Sequence, residues 1–140
     1  MLTLKQIVQR TTGPRKENAR YVKITEVKKG YNSIGQGFIA SSSYSTHIID
    51  EKGRPIRHPN PQRYITVITF LDRKLHVSVS CSCDDFLYRH EYALNNKGAA
   101  DIEYSNGQPP TTTNPGLKTG QCKHLYKLYF SKLAGKVPGL

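Results

Sequence analysis

Two short stretches of the 140-residue chain gather its most reactive side chains, Cys81-Ser82-Cys83 and Cys122-Lys123-His124. They hold all three cysteines and place a histidine two residues after the last of them. Three sulfurs and one imidazole are a complete donor set for a tetrahedral metal ion, and the preference of zinc for N/S ligands makes it the first candidate. A ligand pair separated by one residue lets a short piece of backbone supply two corners of the tetrahedron. Two other chemistries use the same residue types. A disulfide would leave one thiol over, and a Cys81–Cys83 bond would close a small, strained ring. A Cys/His nucleophile pair needs a thiolate beside a base at an open site and gives the other two cysteines no role. The spacing favours one structural zinc ion held by Cys81, Cys83, Cys122 and His124.

A CxC pair at the end of a strand, followed by CxH at the head of an apolar helix, resembles the SWIM zinc finger, a short β-hairpin followed by a helix. The resemblance implies the same four ligands and permits nucleic-acid binding. The spacer departs from that pattern: residues 84 to 121, 38 in all, exceed the usual length. The wider run from 81 to 125, CSCDDFLYRHEYALNNKGAADIEYSNGQPPTTTNPGLKTGQCKHL, covers about a third of the chain. It is similar to a segment of small, uncharacterised proteins of tailed bacteriophages. That likeness implies a non-enzymatic structural component of a virion, made in the host cytoplasm, whose partners are other proteins of the particle.

No enzyme pattern competes. His90-Glu91 opens an HExxH reading, but Leu94 stands where the second histidine would be. Gly35-Gln36-Gly37 lacks the third glycine and the helix of a dinucleotide fingerprint, and reads as a turn or bulge. Paired carboxylates at useful spacing are missing, and four protein ligands leave a zinc ion no position for water. The composition therefore points to no small-molecule substrate.

Charge and length bound the rest. With 21 Lys and Arg against 10 Asp and Glu the formal net charge is +11, so the surface attracts acidic partners: nucleic acid, an anionic membrane or acidic protein. No apolar run approaches the roughly 20 residues that cross a bilayer, and the start lacks the features of a signal peptide. A reducing cytosol, where thiolates are free to bind metal, is the expected place of synthesis. A length of 140 residues suits one domain with one modest core that a metal staple would help.

The elements that must position the ligands follow from periodicity. Thr3 caps a short helix to Arg10, stopped by Gly13-Pro14, and Arg15 to Arg20 reads as a polar, basic linker. Tyr21–Lys28 alternates as a strand that Lys28-Lys29-Gly30 breaks, and Phe38–Ile49 is a second β-type run. Residues 50 to 61 read as loop. Tyr64–Leu71 is the strongest strand; Asp72-Arg73-Lys74 turns it back, and Leu75, Val77, Val79 and Cys81 alternate, so that Cys81 and Cys83 share a face. Asp84 or Asp85 caps a helix ending near Gly98, Ala99–Tyr104 reads as a short strand, and Ser105–Gly120 as a long, weakly charged loop suited to meeting protein. Cys122–Leu133 is an amphipathic helix. The expected class is α+β: antiparallel sheet through the N-terminal two-thirds, then a zinc-stapled ββα-like unit with two helices. Its parts are a helix and basic linker over 1–19, a β region over 20–80 and the zinc unit over 81–134. Arg15, Lys16, Arg54, Arg57 and Arg63 are the candidate contacts to an acidic partner or nucleic acid.

Overall fold

Alternating apolar and polar residues build the central sheet. In the computed structural model, which describes residues 1–103, 107, 110, 113–114, 116–137 and 140, strands β1 (Val22–Tyr31), β2 (Gly37–Ser45), β5 (Tyr64–Phe70) and β6 (Val77–Cys81) form a four-stranded antiparallel sheet in the order β1-β2-β5-β6. Strands β3 (His47–Ile49) and β4 (Pro55–Arg57) make a separate antiparallel pair. The α+β expectation is met. The helices are α1 (Leu4–Gln9), α2 (Gly13–Asn18), α3 (Glu91–Asn95) and α4 (Lys123–Lys132), with a π-helical turn at Phe86–His90 running directly into α3.

One face of the sheet carries the core. Ile39, Ile68, Val77, Val79 and Cys81 point to it and meet Leu4 and Ile7 of α1, Phe86 and Leu94, and Leu125 and Leu128 of α4 in one apolar cluster. On the other face Ile65 is 57% exposed. The edge of β6 is satisfied from outside the sheet: the Val77 N–H donates to the Leu2 carbonyl at 2.9 Å and the Val79 N–H to the Ala99 carbonyl at 2.8 Å. The opposite edge, β1, carries Lys23, Lys28 and Lys29, a charge pattern that discourages further strand pairing.

Several local expectations are corrected. Residues 15 to 20 are not a linker: Gly13-Pro14 starts α2, since proline is favoured in a first helical turn where its missing N–H is no loss, and a 3₁₀ turn follows at Ala19–Tyr21. β1 continues through Lys28-Lys29-Gly30 because Phe38, paired across from Gly30, lays its ring there. A Cβ on Gly30 would meet that ring at 3.1 Å. Strict alternation put Val27 opposite Val22 and Ile24; a bulge between Ile24 and Glu26 inserts one residue and turns Val27 towards the core. The second β run splits into β2 and β3 around Thr46, and part of the expected 50–61 loop is β4. Residues 99–103 are not a strand. Much of the expected 105–120 loop, and Tyr104, lie outside the described residues.

The register of β5 is open to test. Ile68→Ala should cost about 2–5 kcal/mol of unfolding free energy by denaturant titration. Ile65→Ala, on the open face, should stay within about 0.5 kcal/mol.

Candidate metal centre

The return of β6 delivers the first pair of ligands. Val77, Val79 and Cys81 are buried on the same face, and Cys83 follows at the turn beyond the strand. The second pair opens α4: Cys122 occupies its N-cap position with extended backbone, and His124 lies in the first helical turn. The three sulfurs and the nearest His124 nitrogen all lie within 4.8 Å of one another, and all four residues are buried. A tetrahedral ion with metal–sulfur bonds of about 2.3 Å separates its sulfurs by about 3.8 Å, so little movement is needed to close the site.

The surroundings suit a cation. Neither ring nitrogen of His124 has a hydrogen-bond partner among the described residues although both are buried, an unfavourable state for an imidazole that a metal bond would relieve at one of them. Burial resists the charge on Cys81, yet hydrogen bonds from Cys122, Cys83 and Thr66 outweigh it and hold that thiol well below its usual range. Burial, together with the neighbouring Cys81 and Cys83, pushes Cys122 well above it. The protein alone thus favours a first thiolate and opposes a second. A divalent ion supplies the charge that further thiolates need. The donor set fits one metal ion.

Second contacts aim the ligands. The Thr66 hydroxyl lies 3.4 Å from the Cys81 sulfur, directly across the β5–β6 pair. The Phe86 N–H donates to the Cys83 sulfur at 3.4 Å. That contact corrects the expected cap: neither Asp84 nor Asp85 caps the helix, and the free N–H at its start turns to sulfur instead. Tyr64 packs its ring 5.0 Å from that of His124. The centre borders a cleft of about 390 Å³ lined by Arg15, His58, Tyr64, Asp84, Asp85 and Lys123 together with Cys83, Cys122 and His124.

Asp85 serves another purpose. Arg15 of α2 grips its carboxylate with two hydrogen bonds, Nε to Oδ2 at 2.7 Å and Nη2 to Oδ1 at 2.6 Å. Arg89 stands 3.3 Å from the same carboxylate. Burial opposes the charge on Asp85, but Arg15 and His90 hold its carboxyl far below the usual carboxylate range. No local signal pairs Arg15 with Asp85, 70 positions away.

Of the residues expected to meet a partner, Arg15 is therefore committed to an internal ion pair beside the metal ligands. Lys16 is exposed on α2. Arg54 stands 3.3 Å from Asp50 of its own turn, Arg57 is exposed on β4, and Arg63 reaches the Thr25 hydroxyl at 3.4 Å. None of these four lines the cleft. The chain matches no protein-family model, no curated protein and no solved structure.

Arg15→Gln should lower stability by about 2 kcal/mol, because a half-buried carboxylate loses its bidentate partner. Lys16→Gln, one residue on and exposed, should change it by less than about 0.5 kcal/mol. Denaturant midpoints of the two variants decide it.

Proposed function

We propose that this chain is a non-enzymatic structural and interaction protein, stapled by one zinc ion and working within a larger assembly. The observation that carries the reading is the converging of Cys81, Cys83, Cys122 and His124 within 4.8 Å in a buried site. Thiolate and imidazole donors suit zinc and disfavour magnesium or calcium, which take oxygen ligands. Four ligands from the protein complete a tetrahedron and leave no open position for water, the arrangement of structural rather than catalytic sites. The CxC and CxH spacing, similar to a SWIM finger, supports the same assignment.

What the staple provides is mechanical. It joins the end of β6 to the start of α4 across residues 84 to 121, and so fixes the 38-residue insertion at both ends. Structural zinc sites contribute on the order of 10 kcal/mol of apparent binding free energy near neutral pH, comparable with the stability of a whole small domain. The assembly we favour is the tailed-phage particle, on the similarity of residues 81–125 to phage proteins. A net charge of +11 suits contact with acidic protein surfaces there. The same charge, with Lys23, Lys28 and Lys29 exposed along the β1 edge, supports a second reading as a nucleic-acid-binding module. Among the described residues no helix is long and apolar enough to cross a membrane.

The reduced, folded protein should carry one zinc per chain by elemental analysis. Cys122→Ser and treatment with a strong chelator should both abolish the cooperative unfolding transition; a metal-free protein that keeps it would overturn the staple. The assembly role is tested by fractionating infected cells: the protein should sediment with particles and resist a high-salt wash. Recovery from the soluble fraction alone would refute it. A nucleic-acid module should instead show affinity for DNA or RNA that falls linearly in log–log form with salt, with a slope near −0.9 per neutralised phosphate on duplex DNA.

A further inference from the structure

A second cleft, of about 310 Å³, opens between the end of α1, the π-helical turn and the segment before α4. Arg10, Arg15, Arg89, His90 and Lys118 line it, and no acidic side chain does. Asp85, the one carboxylate near these groups in the described contacts, is already shared among Arg15, Arg89 and His90. Arg10 gives one N–H to the Thr119 hydroxyl at 2.8 Å and makes no ion pair among the described residues, and neither does Lys118. Asp85 thus leaves Arg10 and Lys118 without an anionic partner among the described residues.

His90 supplies an independent sign of a ligand. Its side chain is 8% exposed, and both ring nitrogens are buried without a hydrogen bond among the described residues. The nearest carboxylate oxygen, Oδ2 of Asp85, is 3.7 Å from Nε2, an ion-pair distance beyond hydrogen-bond reach. Gly120 lets the backbone close over this ring. A Cβ there would stand 3.1 Å from the Arg10 carbonyl and 3.4 Å from His90 Cε1.

We propose that this cleft binds a phosphomonoester, with Arg10 and Lys118 holding the phosphoryl oxygens and the buried His90 ring beside them, while Arg89, whose Nη1 donates to the Thr113 carbonyl at 3.0 Å and whose Nε faces Asp85, frames the site. Guanidinium forks match the geometry of a phosphate, and a monoester carries about −1.5 to −2 charges near neutral pH, enough to balance the uncompensated cations. The volume is at the lower end for small-ligand sites and suits a phosphate with a small organic group. A free mononucleotide and the 5′-phosphorylated end of a nucleic acid present the same chemistry. The site stands apart from the assembly role.

The test is calorimetric titration of the zinc-loaded, full-length protein with inorganic phosphate, a nucleoside 5′-monophosphate, the bare nucleoside, and an oligonucleotide with and without a 5′-phosphate. The His90 ring resonances are followed by NMR in parallel. Saturable one-site binding of phosphate and the monophosphate, with shifted His90 resonances and no binding of the nucleoside, is the expected result. Arg10→Gln and Lys118→Gln, both at exposed positions, should each weaken binding about tenfold or more, while Lys28→Gln on the β1 edge leaves it unchanged. Tighter binding of the monophosphate than of the phosphorylated oligonucleotide supports the site and assigns it to free nucleotides; the reverse order supports it and assigns it to chain ends. No saturable binding at millimolar phosphate, equal losses in the Lys28→Gln control, or oligonucleotide binding indifferent to the 5′-phosphate overturns it.

Discussion

Buried sulfur cannot hold much negative charge without a counterion, and this protein places three cysteines in its core within reach of one another. One thiolate is favoured at Cys81, whose thiol is held well below its usual range by contacts with Cys122, Cys83 and the Thr66 hydroxyl despite its burial. Adding charge at Cys122 is opposed by burial and by the sulfurs already there. A divalent cation would resolve the conflict and tie the end of β6 to the start of α4.

A second electrostatic link carries the N-terminal helices to the same place. Arg15 on α2 and Asp85, two residues beyond Cys83, form a bidentate pair that is partly shielded from water. Shielding strengthens the attraction and makes removal of one partner more damaging than at the surface. The turn that carries Cys83 is thus held by a helix from the start of the chain, beside the candidate ligands. The same pair shapes both clefts, since Arg15 borders each of them. One cleft meets the candidate metal ligands with mixed charge, and the other has basic but no acidic side chains among its described lining, which is why a phosphoryl ligand suits the second.

The sheet is used unevenly. Its inner face is filled by α1, α4 and the π-turn–α3 segment, and its outer face is left uncovered among the described residues. Both edges are guarded, β6 by backbone groups of Leu2 and Ala99 and β1 by lysines. Apolar exposure such as that of Ile65 then lies on a face where strand-to-strand pairing cannot begin.

The amino-acid sequence by itself determined the donor atoms and their pairing: CxC and CxH fix two corners of a tetrahedron each, and alternation along Val77, Val79 and Cys81 fixes the face, because both are local consequences of backbone geometry. It also determined the Thr3-capped first helix, whose capping box with Gln6 spans three residues, and the α4 stripe. Tertiary structure alone decided the rest. Whether Lys28-Lys29-Gly30 ends a strand depended on Phe38 across the sheet, and whether Val27 faced inward depended on a bulge. Whether Asp85 capped a helix depended on an arginine 70 positions earlier, and the burial of His90 depended on Gly120 closing over it. Each of these is settled by a partner distant along the chain, and a contact made only on folding leaves no periodic trace in the residues that make it.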